Sequence, residues 1–189
     1  MAPRIAPLSP PYTPEVRASL ARWMPPGSGV EPLKLFRTIA RHGLLSERMR
    51  ALGSVFLGHA TIPLRTRELL ILRTCARCGA EYEWGVHVSA FAAAAGLDEA
   101  TVHATSPSGG AAPDADDALV LRFVDELHDS GDVTDATWSA LAARHDDGAL
   151  LEMLAVAGFY HLVSFVVNGA RVEREPWAAS FPEVVRPPT

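Results

Sequence analysis

The chain has 189 residues, 17 Lys and Arg against 22 Asp and Glu, and 48% apolar residues. That length suits one domain, or one with an elaborated terminus, and a net charge of −5 without a basic run speaks against nucleic acid as a partner. The longest nearly uncharged apolar run, Met153 to Val167, is shorter than the ~20 residues of a bilayer span and holds His161, so it reads as a buried helix rather than a membrane segment.

The first residues, MAPRIAPLSPPYTPE, have no charged head before an apolar stretch, so no secretory signal and a cytoplasmic location are expected. Their prolines predict an extended arm over residues 1–12. Thr13-Pro14-Glu15 then opens a short helix, with a capping hydroxyl, proline at the first helical position and an acid in the first turn, and Pro25-Pro26-Gly27 ends it. Leu33 to His42 carries Leu35, Phe36, Ile39 and Ala40 at helical spacing and stops at Gly43. Ser46 is expected to cap the next helix, which runs to about His59.

After Thr61-Ile62-Pro63, the stretch from Arg65 to Cys78 is apolar on nearly every face, which predicts a central helix. Ala80 to Ala95 resumes in helix formers and Gly96 closes it. Asp98 caps a short helix that fades into the Ser106–Gly110 linker. Asp116 to Ser130 sets Val120, Phe123, Val124 and Leu127 on one face, Thr134 caps a helix with Trp138 and Leu141, and Gly148 to Arg171 forms the long buried helix. The tail from Glu173, with Trp177 and Phe181, is expected to wrap along a surface or a neighbouring subunit. No sustained period-two alternation occurs, so the fold class is all-α.

The densest polar group is Arg67-Glu68 followed by Glu81-Tyr82-Glu83-Trp84 and His87. Glu83 and His87 are four apart and share a helical face, either as a surface pair or as an acid and an imidazole meeting in one pocket. In a pocket, burial would raise the carboxylic acid and an adjacent carboxylate would favour the imidazolium, poising the pair for proton transfer. Glu68, on an otherwise apolar helix, needs a partner, for which His87 and Arg67 are available.

The segments Arg65-Thr-Arg-Glu-Leu-Leu-Ile-Leu-Arg, Gly79-Ala-Glu-Tyr-Glu-Trp-Gly-Val-His87 and Ala94-Ala-Gly-Leu97 together resemble the carboxymuconolactone decarboxylase-like family, within the AhpD-like superfamily of alkylhydroperoxidases. Gly158-Phe-Tyr-His-Leu-Val to Asn168 looks like that family's later core helix. The resemblance implies an AhpD-like helical bundle assembled as a trimer or hexamer, with pockets near subunit contacts. It divides the chain into an N-terminal arm and short helix (1–30), the family domain (31–172) and a tail (173–189). In the peroxidase branch a glutamate, two cysteines separated by two residues and a histidine carry the chemistry. Counted from His87, the glutamate falls on Glu68 and the cysteine positions on Ala80 and Glu83, so the acid and the imidazole are kept and the sulfurs are not at their expected places.

Cys75 and Cys78 form a C-x-x-C five residues too early for that pair, and read either as packing residues or as a displaced redox couple. No metal is expected, because the two thiols lack a second pair and His87 would complete only a three-ligand set. His161 is either a core histidine with a satisfied partner or a second group at the substrate site, with Tyr160 and Asn168; Asn168 lies about two turns on, on a similar face. His42, His59, His103, His128 and His145 are expected to be solvated or to cap helices.

The reading that follows is a cofactor-free acid/base lyase (decarboxylase) or isomerase acting on a small organic acid or lactone. Glu68, Glu83 and His87 are its catalytic residues, with His87 stabilising enolate-like charge and Glu83 or Glu68 acting as a raised-pKa acid. Tyr82, Trp84, Tyr160, His161 and Asn168 bind substrate. The alternatives are a thiol peroxidase or disulfide reductase using Cys75 and Cys78, and a non-catalytic ligand-binding or assembly protein.

Overall fold

Turn and capping residues divide the chain into short helices, and the computed structural model describes residues 2–24 and 30–183 of it. The break expected at Pro25–Gly27 and the last six residues lie outside the described residues. The described residues form nine helices and no strand: α1 (Pro14–Ala21), α2 (Lys34–Ile39), α3 (Gly43–Gly58), α4 (Leu64–Arg77), α5 (Glu81–Phe91), α6 (Glu99–Thr105), α7 (Ala115–Ser130), α8 (Asp135–Ala142) and α9 (Asp147–Ala170).

Several caps act as their residue types dictate. Thr13, Asp98 and Thr134 each accept a hydrogen bond from a backbone N–H in the first turn of the helix they precede. The cap of α3 corrects the expectation at Ser46. His42 fills that role, its Nδ1 accepting from Leu45 N at 3.2 Å, so the helix begins four residues earlier. Ser46 is buried inside α3 and accepts from the Trp23 indole at 3.1 Å, a partner that no local pattern reveals.

Helix α4 is central, as its sequence requires. Its main neighbours are α5, α7 and α9, and Leu69, Leu70, Ile71 and Leu72 are all essentially inaccessible. Burying one such side chain contributes about 1.5–3 kcal/mol, so four in succession make α4 the axis around which the rest condenses. Helix α9 is long and apolar enough to cross a bilayer by length and composition. However, Leu150, Met153, Val156, Tyr160, Val163 and Val167 form a buried stripe, which makes it a core helix of this bundle.

Both ends of the chain strap onto this core. Backbone N–H groups of Arg4 and Leu8 donate to Ala170 O and Arg37 O. The tail crosses α5: Ala179 N donates to Gly85 O at 3.3 Å, Phe181 N donates to a Glu81 carboxylate oxygen, and the Phe181 ring lies 5.1 Å from that of Trp84. A methyl at Gly85 would stand 2.0 Å from Ala179 O, so the strap can lie this close only because residue 85 has no side chain. The tail therefore wraps its own chain, over the helix that carries Glu83 and His87.

Candidate active site

Helix spacing brings Glu83 and His87 onto one face of α5, and packing of α5 on α4 brings Glu68 to them. His87 Nδ1–H donates to Glu68 Oε2 at 2.7 Å. On its other side, His87 Nε2 lies 3.2 Å from the Tyr160 hydroxyl of α9 and 3.6 Å from Glu83 Oε1. Arg67 closes the far side of Glu68, with Nε and Nη2 at 2.9 and 2.8 Å from Oε1. All of these side chains are buried, Glu68 completely.

The charges are arranged so that burial does not neutralise them. Burial by itself would lower the His87 pKa, but the hydrogen bond and charge of Glu68, and then those of Glu83, outweigh it and push it up to about 9. Burial likewise favours protonated Glu68, yet His87 and Arg67 hold that carboxyl below its ordinary value. This corrects the expectation of Glu68 as a raised-pKa acid. It is a counter-ion that orients the imidazole, whereas Glu83 Oε2 is buried and makes no hydrogen bond among the described residues. Tyr160 is pushed well above the usual phenol range by burial and by Glu83 and Glu68, so it stays a hydroxyl.

Phe91, one turn beyond His87, had no place in the sequence reading. Its half-buried ring lies 5.0 Å from the His87 ring, and the Arg67 guanidinium sits 5.9 Å from its centroid, so it shields both cations from water. Its spacing of four from His87 was the available signal.

The other expected substrate residues lie elsewhere, with one exception. Tyr160 is in the cluster. Tyr82 and Trp84 flank Glu83 in sequence, and a rotation of about 100° per residue turns each off the face shared by Glu83 and His87. The Tyr82 hydroxyl donates to Glu175 Oε1 at 2.7 Å and accepts from Leu35 N, and the Trp84 indole donates to Thr105 Oγ1 at 3.0 Å. Both anchor the shell. His161 and Asn168 do share a face of α9, but that face meets the C-terminal end of α4, where Asn168 Nδ2 donates to Cys78 O at 2.8 Å. There His161 Nε2 lies 3.0 Å from His128 Nδ1, and His128 Nδ1 lies 4.0 Å from Cys78 Sγ. His128 is thus a half-buried partner rather than a solvated or capping residue, and the groups that gather around Cys78 come from α7 and α9 rather than from His87.

The thiols are free. Cys75 is fully buried, and burial followed by the charge of Glu83 pushes its pKa well above the ordinary value; burial also raises the half-buried Cys78. A cavity of about 470 Å³ lies between α4, α7 and α8, where Arg65 pairs with Asp117 beside Asp116 and Arg144; none of Glu68, Glu83 and His87 lines it.

Residues 39–120 match the carboxymuconolactone decarboxylase family. The match spans α3 to the start of α7 and includes Arg67, Glu68, Glu83 and His87, whereas Tyr160 comes from α9, beyond it. Neither a search of curated proteins nor one of solved structures found a match.

Proposed function

We propose that this protein is a cofactor-free acid/base enzyme of the carboxymuconolactone decarboxylase type, a decarboxylase or isomerase acting on a small organic acid or lactone. The observation that carries the reading is the buried imidazole of His87, clamped by Glu68 and presenting Nε2 to Tyr160 and to a Glu83 carboxyl group with an unpartnered oxygen. When a carboxylate leaves as carbon dioxide, its bonding electron pair stays on the substrate as an enolate. His87 and Tyr160 supply hydrogen bonds to that developing charge, and Glu83 exchanges the proton at carbon, giving one up as the carboxylic acid after carbon dioxide leaves, or taking one up as the carboxylate in an isomerisation. Glu68 keeps the imidazole charged and oriented throughout, and Arg67 holds Glu68 in place.

The test offers a panel of small lactones and β-keto acids to the protein in deuterated water and follows carbon dioxide release and deuterium uptake at carbon. Exchange should occur with the true substrate class and fall by about 10²–10⁴ in His87→Gln and in Glu83→Gln. Absence of exchange across the panel, or wild-type rates in both variants, would falsify the acid/base reading. The thiol alternative is disfavoured by its own requirements: a peroxide-reducing cysteine needs a lowered pKa and solvent access, and Cys75 has neither.

The site works, in this reading, within a homo-oligomer. Helix α9 leaves Leu151, Leu162 and Phe165 exposed, Phe165 at 66%, on a face whose i, i+3 and i+4 neighbours Ala155 and Gly158 carry no charge. Such a face can meet a second copy of itself without like-charge repulsion. Sedimentation of the wild type against Phe165→Glu tests it, with dissociation expected in the variant.

A further inference from the structure

At the end of α4 away from Glu68, three helices bring ligand atoms together in a cluster that shares no hydrogen bond or ion pair with the acid/base group. Cys78 caps α4, His128 stands in the last turn of α7, and His161 lies in the middle of α9. Cys78 Sγ and one ring nitrogen from each histidine all lie within 4.8 Å of one another. We propose that Cys78, His128 and His161 form a binding site for a transition-metal ion of borderline softness, zinc in the first place.

The hydrogen bonds around the cluster prepare it for that role. His161 Nδ1 lies 2.9 Å from Ala157 O, and because a carbonyl only accepts, Nδ1 carries a proton and the nitrogen that offers the ring's lone pair is Nε2. A backbone carbonyl holding the far nitrogen is the arrangement that orients metal-bound histidines. That lone pair faces His128 Nδ1 at 3.0 Å, and the same His128 nitrogen faces the Cys78 sulfur at 4.0 Å. Arg77, the cation adjacent to Cys78 in sequence, is drawn aside by Asp129 and Asp125.

The spacing also suits zinc. Tetrahedral coordination places two nitrogen ligands about 3.3 Å apart and a nitrogen and a sulfur about 3.6 Å apart, so closure needs side-chain shifts of about 1 Å or less. On binding, the metal takes lone pairs from both rings and the thiolate, the thiol proton goes to solvent, and the His128 proton moves to its outer nitrogen. Three protein ligands leave a fourth position, which water fills.

The experiment titrates the full chain, stripped by chelator, with cobalt(II) as a spectroscopic substitute and then with zinc. The expected result is one cobalt per chain, with the visible absorption of a tetrahedral site and a thiolate charge-transfer band, both lost when zinc displaces it. Cys78→Ser should remove the charge-transfer band. Cys78→Ser and His161→Ala should each weaken binding by more than about 100-fold, beyond what an outer-shell partner costs. Alkylation followed by peptide mapping adds a readout that needs no variant: zinc should protect Cys78 in the wild type, and chelator should restore its reactivity. Failure to bind, cobalt bound without thiolate absorption, Cys78 equally reactive with and without zinc, or unchanged affinity in folded variants would each overturn the site. These outcomes leave the acid/base reading untouched, because none of its residues is altered or measured.

Discussion

The two ends of α4 carry polar clusters of opposite character. At the N-terminal end, Glu68 is fully buried and both oxygens of its carboxylate are answered inside the protein, one by Arg67 and the other by His87. At the C-terminal end, Cys78, His128 and His161 are only half-buried and are held to one another by a single hydrogen bond, from His128 Nδ1 to His161 Nε2, beside the Cys78 sulfur. Burial explains the contrast. Ions taken out of water persist only if paired, whereas thiols and neutral imidazoles tolerate partial solvation and keep their lone pairs available. One helix thus carries a paired ionic cluster at one end and a nearly uncharged, half-buried one at the other.

The largest stability effect that would break this comparison is at Glu68. Glu68→Gln leaves Arg67 and His87 buried beside a neutral amide, and breaking such a pair costs about 3–5 kcal/mol. In metal-free protein, His128→Ala loses one imidazole contact and should cost about 1 kcal/mol. Urea unfolding of both variants measures the difference, and equal losses would mean that the two ends are energetically alike.

Next in size is the pH dependence of the buried pair. The folded pKa of His87 is raised from 6.5 to about 9, so its contribution is fully present below pH 6.5 and is lost as pH rises through about 9. The separation corresponds to on the order of 3 kcal/mol. Glu68 is shifted the other way, and its contribution is present above its ordinary value of 4.5 and lost as pH falls through its lowered folded pKa. Stability should therefore peak between these limits, and the alkaline decline should flatten in His87→Gln. An unchanged alkaline limb in that variant would show that His87 is not charged in the folded protein.

How much of this was legible in the sequence depends on how local each cause is. Thr13, Asp98 and Thr134 announce their helices because a cap acts within three residues, and Glu83 with His87 is a one-turn relation on a single helix. Tyr82 and Trp84 were drawn to the site by adjacency, although helical rotation already separates them from Glu83. Ser46 failed as a cap because its partner, Trp23, comes from the turn that follows α1. The cluster around Cys78 was the least legible: His128 is 50 residues away and His161 a further 33, and only the packing of α4 against α7 and α9 brings them together.

A smaller effect sharpens the comparison at α5, between the two ends. Gly85→Ala places a methyl against the Ala179 carbonyl, which is backbone and cannot rotate away. The strap must lift, at a cost of about 1–3 kcal/mol, and limited proteolysis should then cut the tail that the wild type protects. A resistant tail in a stable Gly85→Ala protein would show that the strap is not held against α5.

The smallest expected effect is at Gly158, on the outer face of α9. It is exposed, sits mid-helix, and a methyl there meets nothing within 4 Å. Glycine in a helix interior is less favourable than alanine by about 0.8–1.0 kcal/mol, so Gly158→Ala should stabilise the dilute monomer by up to that amount. Between Leu151 and Phe165, however, the same methyl stands on the face proposed to meet a second copy. At concentrations where the wild type self-associates, the variant should gain less than the monomer does, because close helix approach favours small residues. Denaturation at two protein concentrations separates the terms. An equal gain at both would place Gly158 outside any subunit contact and move the proposed interface off this face of α9.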